Sequence, residues 1–346
     1  MRFLKRIKRC NFYIRLRHWE YWPFGLVQFP LFFYYLWLAA RARSLVFFSA
    51  CNPGIAMGGM FGESKFDILE KIPSGFKPKT ALIKRPATVG QVLTCMETHG
   101  LNFPVIFKPD IGERGYLVKK ICTREEVAEY LRATRVDFII QEFVSLPYEY
   151  GVFYRRYPGE THGKVTSVVA KEMLHVEGNG KSTLKELIFS KDRAKLQWTQ
   201  LKELYQGRMD EVIPHGQRVE LVGIGNHCRG TKFINANHLI NDRLCAAFDC
   251  ISRSVEGFYF GRFDLRCSCE EDLFEGKVSI LELNGCGAEP GHIYDPQFRL
   301  LDAVRDLLRH WMDIFDIAME NHKRGERFLT LREGIRYYRK FRAALR

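Results

Sequence analysis

The stretch IIQEFVSLPYEYGV, residues 139–152, decides how this chain reads. Its first part is an apolar run whose end carries Gln141 and Glu142, and its second part opens on Glu149 and leads into YGVFYRRY, residues 150–157. Length, apolar character and aromatic content predict two strands with a turn between them. Two carboxylates thus stand seven positions apart, at the end of one strand and the start of the next.

Working outward, FPVIFKP (103–109) is a strand that ends on Lys108 just before a proline, and the glycine-bearing loop IGERG (111–115) follows it. LVKKI (117–121) is another strand. TREEVAEYLRA (123–133) is a helix with Thr123 at the cap and Glu126 three residues on. Upstream, SKFDILEKI (64–72) is a helix, PSGFKPKT (73–80) is turn-rich, and a strand and helix lie near TVGQVLTCMETHG (88–100). Downstream come the strand KVTSVVAKEML (164–174), the loop HVEGNGKST, the helix LKELIFSK, a strand-rich portion (RVELVG, GTKFINA), and a helix around NDRLCAAFDCISRSV. GFYFGRFDLRCSC (257–269) and KVSILELNG (277–285) are strands placed to pair, with EEDLFEG as their turn. Residues 297–320 form an amphipathic helix and a basic, tyrosine-containing helix ends the chain. The class is α+β with a mainly antiparallel sheet.

The chain has 346 residues and a net charge of +13, with 46% hydrophobic residues, which is globular composition. The charge is concentrated at the ends. Residues 1–43 hold nine Lys/Arg against Glu20 alone, and residues 323–346 hold nine against Glu326 and Glu333, so the body between is close to neutral. A nucleic-acid enzyme carries its basic groups along the working groove, so this pattern argues against nucleic acid and for an anionic membrane surface. FGLVQFPLFFYYLWLAA (24–40) carries no charge and is flanked by basic residues, with Trp19, Tyr21 and Trp22 placed as an interfacial belt. Seventeen residues fall short of the about 20 needed to span, and Pro30 is expected to break or kink the helix. A monotopic or re-entrant anchor fits better than a span; a core helix of a soluble domain is the competing reading. Residues 44–63 read as a short apolar strand and a glycine-rich loop without a dinucleotide fingerprint. No cleavable signal sequence is evident. Ten cysteines lack zinc-ligand spacing and read as buried free thiols of a reducing compartment; Cys267 and Cys269 would share a strand face.

Alternation along GRFDLR puts Arg262, Asp264 and Arg266 on one strand face, and in LELNG it puts Glu282 and Asn284 together. With Lys108 and the two earlier glutamates, the chain holds a cation for phosphates, acceptors for a base and sugar, and hard oxygen ligands for magnesium. GNGKST lacks the earlier glycine of a Walker loop and is not read as one.

The ordered series SKFDILEKIP, FPVIFKPDIGERGY, IIQEFVSLPYEYGV, GRFDLR and LELNG resembles the ATP-grasp superfamily, specifically its carboxylate–amine ligases, and is closest in pattern to D-alanine–D-alanine ligase. EGNGKSTLKELI with GQRVELVGIGNHCRGTK is similar to the central domain of cyanophycin synthetase. The resemblance covers roughly residues 64–300. It implies an ATP-grasp fold whose two α+β subdomains, 64–145 and 146–300, clamp ATP. Residues 1–43 would be a membrane-associating segment, 44–63 a truncated preceding segment, and 301–346 C-terminal helices. It implies ATP with Mg2+, two ions, held by Asp264, Glu282 and Asn284. Lys65 and Lys108 would reach the phosphates, with Gly112 to Gly115 as the covering loop. Glu142, Phe143 and Val144 would take the adenine, Glu149 the ribose, and Lys171 a further nucleotide contact. Lys108 and Arg262 would be catalytic, Arg262 by stabilising an anionic tetrahedral intermediate. Gly285 and Gly287 would let backbone approach substrate, and Asn226, Arg229 and Thr231 would lie at the acceptor site.

Two departures matter. Relatives have small residues where Glu113 and Arg114 stand, and no full α/β domain precedes residue 64, so D-alanine is not implied. The implied activity is ADP-forming C–N ligation of an unidentified carboxylate and amine through an acyl-phosphate. A lipid-linked or envelope-related substrate is expected, at the cytoplasmic side of a membrane or else in the cytoplasm. An ATP-grasp phosphotransferase and a soluble amino-acid or peptide ligase are the alternatives.

Overall fold

The computed structural model describes residues 10–112, 115–223, 225 and 230–344. Period-two alternation resolves into two antiparallel sheets. The first has β1 (Thr80–Ile83), β2 (Val105–Pro109), β3 (Lys119–Ile121) and β4 (Phe138–Glu142) in the order β1-β4-β2-β3. Phe107 and Phe138 pack with Tyr130 of the Arg124–Ala133 helix at ring spacings of 5.2 Å, which fills this sheet's core. Thr88 and Gln91 close a reciprocal cap on the Val89–Thr98 helix. At Thr123 the cap differs from expectation: the Glu126 carboxylate accepts from the Cys122 N–H rather than from Thr123 itself.

The second sheet has β5 (Tyr148–Arg155), β6 (Lys164–Glu172), β9 (Lys232–Asn235), β10 (Phe260–Cys267) and β11 (Ser279–Asn284), ordered β11-β10-β5-β6-β9. Between β6 and β9 the chain leaves to form a two-stranded ribbon, β7 (His175–Glu177) and β8 (Arg218–Glu220), under three short helices. β8 is thus shorter than RVELVG suggested. Register is the functional consequence: Arg262 faces Asn284, Asp264 faces Glu282 and Arg266 faces Glu149. EEDLFEG is not a bare turn, because Glu270–Phe274 makes one helical turn that buries Leu273. β10 ends at Cys267, so Cys269 does not share its face; Cys269 is exposed while Cys267 is buried. Nine described cysteines are free, but Cys10, Cys122 and Cys250 are exposed as well, so they are not uniformly core thiols.

The segment before residue 64 departs most from expectation. Phe24–Ala42 is one helix that runs through Pro30, whose ring lies on the exposed side. Its inner arc, Leu31, Leu38, Ala39 and Ala42, is buried, and it packs on the amphipathic Leu300–Lys323 helix. This arc is built into the body, so residues 24–42 are not simply an appended anchor. Among the described residues no helix is long and apolar enough to cross a membrane. The expected strand after Ser44 is absent: residues Phe47–Ala50 and Ala56–Gly59 form two tight turns. Phe47 and Cys51 are fully buried, and burying such side chains is worth roughly 2 kcal/mol each. The loop is held by Asn52 instead of by strand pairing. Its Nδ2 donates to the carbonyls of Gly58 (2.9 Å) and Phe260 (2.8 Å), and its Oδ1 accepts from Tyr259 and Phe260 N–H (2.9 Å each).

Gly285 and Gly287 serve this same contact, and Gly287 also lines the cavity between the sheets. A Cβ on Gly287 would lie 2.4 Å from the Met60 carbonyl, and Cys286 and Gly287 N–H donate to Gly58 and Gly59. Asn52→Ala is expected to lower stability by about 3 kcal/mol, because four backbone groups lose a buried partner. Urea unfolding monitored by circular dichroism measures it, and a midpoint within error of the parent would refute this role for Asn52.

Candidate functional site

A cavity of about 990 Å³ opens between the two sheets, and every one of the thirteen candidate residues quoted above for nucleotide, metal or catalysis lines it. From the first sheet come Lys108 on β2 and Glu142 at the end of β4, with Lys65 from the Lys65–Glu70 helix. From the second come Glu149 (β5), Lys171 (β6), Arg262 and Asp264 (β10), and Glu282 and Asn284 (β11). Glu113 and Arg114 lie outside the described residues, as do Asn226 and Arg229; Thr231 is fully buried and does not line the cavity.

Lys108 ties the sheets together. Its Nζ donates at 3.0 Å to Gln141 Oε1 on β4 and at 3.0 Å to the Leu281 carbonyl on β11. Burial lowers it to about 8, helped by the nearby Lys65 charge and opposed by Glu282 and Asp264. Lys65 Nζ donates to the Gly112 carbonyl and lies 3.8 Å from Glu282. A cation pair thus borders an acid pair across the cavity.

Behind the acids runs a chain of buried and half-buried charges. Arg266 donates to Glu149 Oε2 at 3.0 and 2.9 Å; Lys171 Nζ bridges Glu149 (3.1 Å) and Asp264 (3.0 Å); Arg262 holds Asp264 at 3.1 and 3.0 Å. Gly151 leaves room for this, since a Cβ there would lie 3.2 Å from both Asp264 Oδ1 and Arg262 Cδ. Burial would raise Asp264, but Arg262 and Lys171 outweigh it and hold the carboxyl down to about 2. Burial would lower Lys171, yet Asp264 and Glu149 raise it. Asn284 Nδ2 donates to Asp264 Oδ2 at 3.0 Å, which leaves the amide oxygen as an acceptor.

Two facing carboxylates and one amide oxygen are the ligand types a hard divalent cation takes, but Arg262, Lys171 and Asn284 occupy both oxygens of Asp264, so binding there requires one of those contacts to be given up. Among the described residues no group of three or more His, Cys, Asp or Glu could hold a metal by itself, so a cation here would draw on the amide and on ligands from outside the protein. At the β4 end, Glu142 accepts from the Lys79 N–H at 3.2 Å, and Lys120 sits 3.9 Å over the Phe143 ring. The Val144 carbonyl is taken by Arg266 at 3.0 Å, so its N–H is the group that could face a ligand.

Sequence reasoning missed the far wall. Trp19, Glu20, Tyr21, Trp22, Val27 and Gln28 line the same cavity, so the three aromatics are not an exposed belt. Glu20 is buried in a two-point pair with Arg193 (2.9 and 2.8 Å), and the Trp19 indole donates to the Phe298 carbonyl at 2.9 Å. Those polar groups inside an aromatic run were the available signal. Gln28 donates to Glu289, which also accepts from Tyr294, and Arg262 donates to the Glu289 carbonyl at 2.9 Å. A chain of Ser167, His292 and Asp306 (2.7 and 3.1 Å) looks like a hydrolytic triad, but Ser167 and His292 are buried and do not line the cavity; it pins the Gly291–Tyr294 turn instead. GNGKST is likewise structural: Asn179 accepts from the N–H groups of Lys181 and Ser182, and the loop ends in the Thr183 cap.

No family model matches the chain, and no curated protein matches it. Among solved structures it is similar to a bifunctional glutathione synthetase from Pasteurella multocida, at 17% identity over 70% of this chain and 35% of that one, with a TM-score of 0.35. It is also similar to the VanG D-Ala:D-Ser ligase from Enterococcus faecalis (14%, 76% and 61%, 0.41) and to the D-alanine–D-alanine ligase from Bacillus anthracis (13%, 75% and 67%, 0.39). The chain thus spans about a third of the first protein's length. At such values these likenesses establish nothing about chemistry, which rests on the residues themselves.

Lys171→Met should cost about 3 kcal/mol or more, because it strands two buried carboxylates on their remaining partners, whereas Lys171→Arg should recover part of the loss. Thermal and urea unfolding of the two variants decide it; equal stability of Met and Arg variants would count against a charge-based role.

Proposed function

We propose that the chain is an ATP-grasp ligase that joins a carboxylate to an amine, forming ADP and phosphate through an acyl-phosphate. The observation that supports this best is the confrontation across one cavity of Lys65, on a helix, and Lys108, on the first sheet, with Asp264, Glu282 and Asn284 of the second. In this reading the subdomains are residues 64–145 and 146–300. Glu142 and the backbone of Phe143 and Val144 receive the adenine. Glu149 accepts from the ribose hydroxyls while Arg266 and Lys171 keep it ionised and oriented.

Asp264, Glu282 and Asn284 are the residues that would hold Mg2+, which when bound neutralises charge on the phosphates. Lys108 and Lys65 place ammonium groups, and Gly112 and Gly115 their backbone, beside the space where the transferred phosphoryl group gathers charge. Carboxylate oxygen attacks the γ-phosphorus and ADP leaves. The amine nitrogen then attacks the acyl carbon, phosphate leaves, and the nitrogen gives up a proton. Arg262 donates to the oxyanion of the tetrahedral intermediate. No protein nucleophile is required, because positioning and charge neutralisation supply the acceleration.

We place the reaction at the cytoplasmic face of an anionic membrane, on a lipid-linked or envelope-related substrate. The basic ends and the uncharged stretch at residues 24–40 support this.

A crossed screen of carboxylates and amines, lipid-linked ones included, scored by ADP release, tests the ligase reading. Turnover should need Mg2+ and both substrates, and Asp264→Asn should reduce it about 100-fold or more. ADP release with a single hydroxyl acceptor and no amine would instead identify a phosphotransferase. A second expectation concerns pH. Free Lys108 loses its proton near 8, and phosphate favours the ammonium, so ATP affinity should weaken as pH rises above about 8, with proton uptake on binding. Calorimetry in buffers of different ionisation enthalpy reads that uptake, and Lys108→Arg should abolish it.

A further inference from the structure

The Phe24–Ala42 helix is apolar on all sides, yet only one side is covered. A helix of this kind belongs inside a protein core or in lipid. Its inner arc packs on the Leu300–Lys323 helix, as described. On the opposite arc Leu26, Phe29, Phe32, Phe33 and Trp37 are 60, 63, 53, 58 and 48% exposed, with Leu36 between them. Spacings of three and four put these side chains together on one stripe. A contiguous aromatic stripe of this size on a protein surface marks an interaction site.

Charge selects the occupant. In residues 10–43 the only acid is Glu20, and it is buried against Arg193. Arg15 and Arg17 precede the stripe and Arg41 and Arg43 follow it, all four exposed, though Arg15 also lines the cavity. The Arg41 guanidinium lies 4.8 Å from the ring centres of both Trp37 and Phe315, at the edge between the stripe and the Leu300–Lys323 helix. The preceding helix, Asn11–Arg17, adds exposed Phe12 and Leu16 next to its arginines. Arginines that bracket an aromatic stripe fit an anionic lipid surface, with rings at the acyl boundary and guanidinium groups at the phosphates.

We propose that the outer arc of the Phe24–Ala42 helix lies in the plane of an anionic bilayer and holds the cavity against it. The same helix turns Val27 and Gln28 into the cavity, next to Trp19 and Trp22, while Leu26 and Phe29 face out. One helical turn therefore separates the lipid-facing surface from the far wall of the cavity. A substrate tethered to a lipid headgroup reaches the Gln28–Glu289 end without leaving the membrane surface. That delivery rests on the ligase reading; the docking does not.

The test uses the full chain and vesicle flotation, with phosphatidylcholine alone and with phosphatidylglycerol added, at low and high salt. The parent should float with the anionic vesicles, less so in high salt, and brominated lipid should quench Trp37. Phe29→Glu/Phe33→Glu, which alters only exposed positions, should reduce binding at least about tenfold while binding of a fluorescent ATP analogue is unchanged. Absence of flotation, or equal flotation of parent and variant, overturns the proposal. So does a parent dimer on sizing that the double substitution converts to monomer, since a second copy would then cover the stripe. Flotation without any nucleotide binding would sink the ligase reading and leave the docking intact.

Discussion

The charges Arg266, Glu149, Lys171, Asp264 and Arg262, buried or half-buried, cross three neighbouring strands, β10, β5 and β6, and the rest of the site is arranged around them. Ionised groups are expensive to bury, and this set is tolerated because each carboxylate has at least two cationic donors. The set also favours the β10–β5 register that puts Arg266 opposite Glu149, since a one-residue slip of either strand would turn its charges to the hydrophobic face. Three cations against two anions leave the row with an excess positive charge beside the cavity. A polyanionic ligand would be met there as well as from Lys65 and Lys108.

Lys108 links this row to the other sheet. By donating to Gln141 and to the Leu281 carbonyl it joins β4 and β11, so a displacement of one sheet is felt at the facing acids. In the proposed reaction it would exchange those two contacts for phosphate oxygens. Nucleotide binding and the closure of the two sheets would then be coupled through one side chain.

The N-terminal residues are as much part of the cavity as the strands. Asn52, with Gly58 and Gly59 against Gly285 to Gly287, locks the early loop to the turn that follows Asn284. Trp19, Glu20 and Gln28 then supply the far wall of that cavity, and the helix that carries Gln28 buries its inner arc against the Leu300–Lys323 helix.

Much of the site was legible in the residues. Alternation has a period of two, so GRFDLR and LELNG announced which side chains share a face, and turn and cap residues marked most strands and helices. Local periodicity cannot say which partner covers a side. The Phe24–Ala42 helix is apolar all round, so only the position of the Leu300–Lys323 helix decides which arc is core. The start of residues 44–63 read as a short strand ahead of a glycine-rich loop because it is apolar, but no neighbouring strand accepts its backbone, and the long-range hydrogen bonds of Asn52 take over. EEDLFEG was too short for its helical period to be seen. The sequence by itself therefore determined most of the strands, which side chains share a face and the candidate acids and bases, because those follow from neighbours along the chain. Only the tertiary structure decided that Glu149 and Asp264 share Lys171, and that the aromatic N-terminus closes the cavity, because both depend on contacts between residues far apart in the chain.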